Sequence, residues 1–496
     1  MKRNTRLFSL LLAASLASCA LASCGEAAGV PAETASQPSE TALQNAETEE
    51  PVIQRAPLGL PDGLDFNGET FHALTYANAI AEYYFFSDGE NGDIMNDAIY
   101  RRRLAVEERL NVRLAHTLYG QNDYPKVPQT IKTMVQAGED EFQQAYLHCI
   151  QGIASLVSGG YLYDLNTMPN IDMNAEWWNR EMTNALNFGS NVYYGVNDFS
   201  IPNLNIVYFN KKMVTDLDLD NPYQLVDDGK WTIGSFLAMA KEVVQDVDGN
   251  GKMEKDVDRF AISTNEISKF ISFVTGSEQY MTTMDKNNRI ALAMNTEKMQ
   301  KLVDQFADLA LGNGIFVAGA NEVDKQLTIQ TDRTLFFLEK QAYLEYMRDY
   351  TVDFGFVPYP KYDEAQEHYR SMDWGSLMAV PTTVTNPDMV GAVIEALAYE
   401  SADTVRPVYF NVVLTDKLSR DEDAVRMLDL ILNSVCYEPA GNYFGFDAGF
   451  SDLFYALPRV AVESKKTDFA SWYAKNEKSA NKTIDKFYEE LEKLEN

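Results

Sequence analysis

Beyond a polar N-terminal stretch, short apolar runs of strand character alternate with runs whose apolar residues recur every three or four positions. Phe71–Tyr76 (FHALTY) reads as a strand, and Met95, Ile99, Val106 and Leu110 then fall on one face of a helix. Ile131, Met134 and Val135 mark a second helix, with Gly138 placed to cap its C-terminus, and Phe142–Ile150 reads as the next strand. The same order recurs at Asn205–Phe209 before Asn210–Leu217, at Thr334–Leu338 before Glu339–Met347, and at Ser376–Pro381 before Pro387–Tyr399. Strand followed by helix, repeated, predicts an α/β protein whose parallel-rich sheets are flanked by helices. Past Ser401 the strand signal fades, and Ser419–Leu432 and Ser464–Glu495 read as helix, so the C-terminus is expected to be helical. Trp231 precedes a helix that Thr232 would N-cap, so this indole is expected to staple the first turn. No fixed-period repeat is visible.

The first residues follow another pattern. Lys2, Arg3 and Arg6 precede the apolar stretch Leu7–Leu21, which falls short of the ~20 residues of a membrane span and ends in small residues, as a secretion signal does. Leu21-Ala22-Ser23-Cys24-Gly25 resembles a lipobox, in which the cysteine thiol takes a diacylglycerol. An identical Leu16-Ala17-Ser18-Cys19 lies five residues earlier, but Gly25 and a polar segment follow Cys24, which favours Cys24. Residues 1–23 are therefore read as a lipoprotein signal peptide. Residues 24–58, rich in Ala, Thr, Ser, Pro and Glu, are read as a disordered tether too poor in apolar surface to offset its ordering entropy. The expected location is the extracellular face of a membrane, reached through the lipid anchor only.

Composition narrows the function. The chain has 496 residues, 46% of them hydrophobic, more than one core normally holds, so two lobes are expected. A formal charge of −31, with no cation run longer than Arg101–Arg103, argues against nucleic acid and against a basic membrane-binding face. G-x-S-x-G, G-x-x-x-x-G-K-[ST] and H-E-x-x-H are all missing. The four histidines (His72, His116, His148 and His368) stand singly, and His72 and His148 interrupt apolar strands as core or edge residues do. The 73 acids supply many carboxylate pairs but single out none, so a surface glycoside-acting enzyme stands only as an alternative. Cys149 and Cys436 are expected to be free, buried thiols.

One acidic loop points to a cation. Asp246-Val247-Asp248-Gly249-Asn250-Gly251-Lys252-Met253-Glu254 follows the first nine positions of an EF-hand loop. Oxygen ligands would come from Asp246, Asp248, Asn250, the Lys252 carbonyl and Glu254. The twelfth position is Val257, so Asp258 would have to supply the last ligand through a bulge. A structural Ca²⁺ is one reading and a solvated acidic turn the other; no further cofactor is expected.

Several segments, in order along the chain, carry a family likeness: Asn96-Asp97-Ala98-Ile99-Tyr100 leading into Glu107-Glu108-Arg109-Leu110-Asn111-Val112, then Ala137-Gly138-Glu139-Asp140-Glu141-Phe142 and Trp177-Trp178-Asn179. Tyr208-Phe209-Asn210-Lys211-Lys212-Met213, Asn221-Pro222-Tyr223-Gln224-Leu225-Val226 and Gly229-Lys230-Trp231-Thr232 follow. Asp353-Phe354-Gly355-Phe356-Val357-Pro358-Tyr359-Pro360-Lys361-Tyr362 and Val413-Leu414-Thr415-Asp416-Lys417-Leu418-Ser419-Arg420-Asp421 complete the set. With these the chain resembles the extracellular solute-binding proteins of carbohydrate ABC transporters, the family 1 maltose-binding-like group, and among them the large lipoproteins of Gram-positive anaerobes.

The resemblance implies a two-lobe periplasmic-binding-protein-like (type II) fold that closes on a ligand between its lobes and presents it to the permease subunits of the transporter. It places one crossing near Ile201–Asn205 and the return near Trp374–Pro381. Lobe 1 would then comprise residues 59–201 plus 376–420, and lobe 2 residues 202–375 plus 421–496, with the C-terminal helices packed on lobe 2. A monomer that binds without catalysing is implied. Sugar sites combine aromatic platforms with polar rims, so ligand candidates at strand ends and crossings are Tyr76, Asn197, Asp198, Glu339, Asp373 and Trp374. Tyr443 and Phe444 in the Gly441–Gly449 turn, and Trp178, extend the set. Trp374 leads, because an indole beside a glycine at a crossing has little core to fill. The charge favours a neutral or cationic solute over a uronate unless a local arginine corrects it. A non-sugar ligand, or service to a sensor, remains the alternative within the same fold.

Overall fold

The computed structural model describes residues 55–494 apart from 78–84, 121–122, 188–190, 319–328, 411–420 and 446–448. The expected signal peptide, Cys24, nearly all of the expected tether and most of the Val413–Asp421 segment lie outside the described residues.

The strands run in chain order as β1 (Glu69–Tyr76), β2 (Val112–Tyr119), β3 (Gln144–His148), β4 (Tyr194–Gly195), β5 (Asn205–Asn210), β6 (Phe260–Thr264) and β7 (Thr282–Met284). They continue as β8 (Ile290–Leu292), β9 (Ile315–Val317), β10 (Thr334–Lys340), β11 (Phe354–Val357), β12 (Ser371–Met372), β13 (Ser376–Ala379) and β14 (Val435–Cys436). Two five-stranded sheets dominate, in the orders β2-β1-β3-β13-β4 and β11-β5-β10-β6-β9. The expected strand-then-helix units are present. The helix Ile94–Leu110 buries Met95, Ile99, Val106 and Leu110, and the helix Lys126–Ala137 ends at Gly138 in the left-handed conformation (φ 70°).

Both sheets are mixed. β2, β1 and β3 are parallel in the first, and β10, β6 and β9 in the second. β13 runs antiparallel to β3 and β4, and β5 antiparallel to β10 and β11. β5 and β13 are the strands that arrive from the other sheet, and their direction depends on that passage, which local periodicity does not encode.

The expected helix Glu339–Met347 begins later than its pattern suggests. Glu339 still pairs with Ile206 in the ladder of β10 with β5, and Gln341–Asp349 is 3₁₀ rather than α. Trp231 is fully buried; it donates to the Pro358 carbonyl (2.8 Å) and packs on Phe236, while Thr232 and Ser235 form a capping box. Cys149 and Cys436 are free and buried.

At the C-terminus the helix Glu422–Leu432 covers β11, and the turn Leu457–Glu463 packs on the helix Glu297–Leu311. The helix Phe469–Leu494 is 26 residues long, so it spans ~39 Å at 1.5 Å per residue. That reach brings it against β8 and also against the helix Ile153–Ser158 of the first sheet's layer, where Ser158 donates to Glu490 (2.9 Å).

Candidate functional site

The chain passes from the first sheet to the second between Gly195 and Asn205, and returns between Val357 and Ser376. These passages are stitched together where Leu204 bridges Asp373 and the Trp374 amide donates to the Asn203 carbonyl (3.2 Å). The Asp373 carboxylate ties the knot. Its Oδ1 accepts the amides of Asn203 (2.9 Å) and Gly375 (2.7 Å), and its Oδ2 accepts the Tyr437 hydroxyl (3.3 Å). A third segment thus joins the two passages, and β12 pairs with β14 beside it. Desolvation raises the Asp373 carboxyl above the usual range against these donors. A Cβ on Gly375 would stand 2.9 Å from Asp373 Oδ1, so the carboxylate needs a glycine there.

The ends of the two sheets face one another around this knot. From the first come Tyr76, ending β1, and His148, ending β3. Their rings lie 5.9 Å apart, and Tyr124 stands 5.0 Å from His148 and 6.1 Å from Tyr76. Tyr76 Oη lies 3.3 Å from Ser376 Oγ at the start of β13. From the second sheet come Glu266 just past β6 and Glu339 and Lys340 ending β10. Lys269, almost wholly buried, contacts Glu339 at 2.9 Å and Glu266 at 3.6 Å, and Asn265 donates to the other Glu339 oxygen (3.1 Å). Burial alone would lower the Lys269 ammonium, but the two carboxylates hold it above its ordinary value, and Lys269 in turn lowers Glu266.

Electrostatics crosses the gap. Desolvation, then the Lys340 charge, pushes His148 down to about 3, so the imidazole is neutral; its Nδ1 accepts the Ile150 amide (3.4 Å), which leaves Nε2–H as a donor for a hydroxyl. Burial, followed by the Lys269 charge, lowers Lys340. Trp374, 7% exposed, keeps its indole N–H buried with no acceptor in reach, and its ring stands 6.2 Å from Phe454. An orphaned donor of this kind costs ~1–3 kcal/mol, and a ligand oxygen would satisfy it.

Of the sequence candidates, Tyr76, Glu339, Asp373 and Trp374 therefore gather at the facing ends and crossings, with the Asp373 carboxylate engaged by the Asn203 and Gly375 amides and the Tyr437 hydroxyl. Asn197 and Asp198 also lie on the passage between Gly195 and Asn205, and Trp178, Tyr443 and Phe444 lie inside the packed layers. Asn197 is buried, its Oδ1 accepts the Phe199 amide (3.2 Å), and it bridges Trp178. Asp198 pairs with Arg406 (3.3 Å). Trp178 and Trp177 donate their indole N–H groups to the two oxygens of Glu395 (3.0 and 2.8 Å) inside the first layer. Tyr443 and Phe444 are buried in the helix Pro439–Phe444 against Tyr194 and Phe487.

The sequence reads His148 only as a core or edge residue and does not single out Lys340, Lys269, Glu266 or Tyr124. Lys340 carried the one usable signal, standing beside Glu339 at a strand end.

In the acidic loop the carboxylates of Asp246, Asp248 and Asp258 come within 4.8 Å of one another. Asp246 accepts the Gly249 and Gly251 amides (2.8 and 2.7 Å), the Gly251 bond first among those that hold it below the usual carboxylate range. Asn250 donates to Asp248 and Glu254, and the Lys252 amide to Asn250. Asp258 accepts the Val247 and Glu254 amides, which draws it into register with the loop despite Val257. Three converging carboxylates fit a hard cation better than they fit one another.

No protein-family model and no curated protein matches the sequence. Solved structures do share the fold. A cyclic α-maltosyl-1,6-maltose binding protein from Arthrobacter globiformis is 14% identical with a TM-score of 0.56, over 84% of this chain and 99% of that one. An ABC transporter solute-binding protein from Thermotoga lettingae bound to α-D-tagatose is 14% identical (TM-score 0.55, 84% and 100%). An ABC substrate-binding protein from Listeria monocytogenes in complex with cycloalternan is 11% identical (TM-score 0.54, 85% and 98%). The fold is the two-lobe α/β architecture of these sugar-binding proteins. Among the described residues no helix is long and apolar enough to cross a membrane.

Proposed function

We propose that this chain is a solute-binding protein that captures a carbohydrate, an oligosaccharide, between its two sheets and hands it to the permease subunits of an ABC importer. The observation that carries this is the pair of facing sheet ends joined by the Asp373 knot, with tyrosine faces, a neutral histidine and an orphaned indole N–H around one gap. Such a surface offers platforms for sugar C–H faces and donors for hydroxyls. Residues 59–201 with 376–420 and residues 202–375 with 421–496 are the proposed lobes. Ligand contacts to both select the closed state. The protein binds without catalysing, acts as a monomer, and is held outside the cell by a lipid on Cys24.

A thermal-shift screen against mono- and oligosaccharides tests the reading. A ligand at ~100 times its Kd stabilises the fold by ~2.7 kcal/mol, with the sugar recovered intact. No shift with any carbohydrate, or release of shorter sugars, refutes it.

The loop carrying Asp246, Asp248 and Asp258 is proposed to hold Ca²⁺ as a structural ion. Calcium is then expected to raise Tm over Mg²⁺ or chelator, and Asp246→Asn to abolish that rise; an unchanged Tm rejects the site.

A further inference from the structure

A second cavity, of about 700 Å³, opens between the segment around Gly229, the loop Lys361–Arg370 and the helix Glu422–Leu432, apart from the facing sheet ends. On its wall lies Lys361, only 4% exposed. The backbone fixes this residue, since its amide donates to the Trp231 carbonyl (3.1 Å) and its carbonyl accepts the Ile233 amide (2.8 Å). Among the described residues the one partner of its ammonium is the face of Tyr369, 5.3 Å from the ring centroid. A tyrosine face is a neutral partner and holds a cation less strongly than a carboxylate does.

The other cations around the cavity are already matched. Arg426 is paired with Asp227 and Asp423, and Arg370 with Glu278 and Glu181. Gly229 lies over the Lys361 ammonium in a left-handed conformation (φ +70°) that suits glycine, and a Cβ there would be in ordinary contact, 3.5 Å from Nζ. Val226, Met427 and Leu430 supply an apolar patch in a wall that also carries the acids Asp227, Glu367 and Asp429.

We propose that this cavity is a second ligand site, independent of the carbohydrate gap, which takes the carboxylate of a small organic acid on Lys361 and its apolar body against Met427 and Leu430. The anion supplies a counter-charge at the Lys361 ammonium, strong enough at contact to work against the long-range repulsion of a chain of charge −31.

The test is a titration of methyl-labelled methionine protein, following Met427 (assigned with Met427→Leu), with benzoate and acetate at fixed ionic strength. Inorganic phosphate and chloride serve as comparisons. Saturable shifts with the carboxylates, benzoate the tighter, are expected, and at least tenfold weaker binding in Lys361→Met and Lys361→Gln. Neither variant should lose thermal stability, because neither breaks an ion pair; a lysine serving only to brace Tyr369 would lower Tm and leave the titration flat. Shifts that survive both substitutions, saturation by phosphate alone, or no saturable shift would overturn the site. Carbohydrate binding is measured on the same samples, so its failure is read separately.

Discussion

Trp374 and Trp178 carry the same side chain into opposite circumstances. Trp178 gives its N–H to Glu395 inside a packed layer, whereas the N–H of Trp374 finds no acceptor beside the crossing. Trp374→Ala is therefore expected to weaken oligosaccharide binding by about tenfold or more, the loss typical of an aromatic anchor, with a modest change in Tm. Trp178→Ala should cost ~3–5 kcal/mol of stability and leave affinity per folded molecule unchanged. Calorimetry and denaturant titration separate the two. Glu395 itself titrates unusually. Desolvation lifts it to about 7 despite the two indole donors. Because the folded value lies above the ordinary carboxylate value, the stabilisation is complete below about pH 4.5 and fades as pH rises toward 7, by ~1–3 kcal/mol. Glu438, also near 7 through burial, adds to the same trend. Unfolding free energies between pH 4.5 and 8 should fall, and Glu395→Gln should flatten part of that slope. At this scale the sequence marks which residues are unusual without showing their partners: Trp374 stands out by its neighbours, while the link from Trp178 to Glu395 spans more than two hundred positions.

Strands and helices were legible where their signal is local. Gly138 as a cap, Thr232 as an N-cap and the buried faces of Ile94–Leu110 follow from residue types a few positions apart. Strand direction was not legible, since β5 and β13 take theirs from the crossing that delivers them. That crossing depends on the Asp373 carboxylate, which satisfies two amides and a hydroxyl from three segments. Asp373→Ala leaves those donors without an acceptor and should lower stability by ~2–4 kcal/mol. Because the knot joins the passages between the sheets, it should also weaken ligand-induced compaction in small-angle scattering. A variant of unchanged stability and compaction would remove Asp373 from this role.

At the scale of the molecule, a chain of charge −31 repels anions at long range, and composition alone directs it away from nucleic acid. The gap between the sheets offsets this locally, since Lys269 and Lys340 stand among Glu266 and Glu339. A neutral polyhydroxyl ligand suits such a balanced lining, and its capture should bring the sheet ends together as one compaction step coincident with the thermal shift.

Local periodicity, composition and a handful of capping residues determined the alternation of strands and helices, the two-body size and the exclusion of basic-surface functions, because those properties depend on neighbours within a turn or two of chain. The site was decided in three dimensions. Tyr76, His148, Lys340 and Trp374 lie in four separate segments, and sheet register together with the knot at Asp373 brings them to one gap. No window of sequence contains that juxtaposition, since the hydrogen bonds that enforce it join residues scores to hundreds of positions apart.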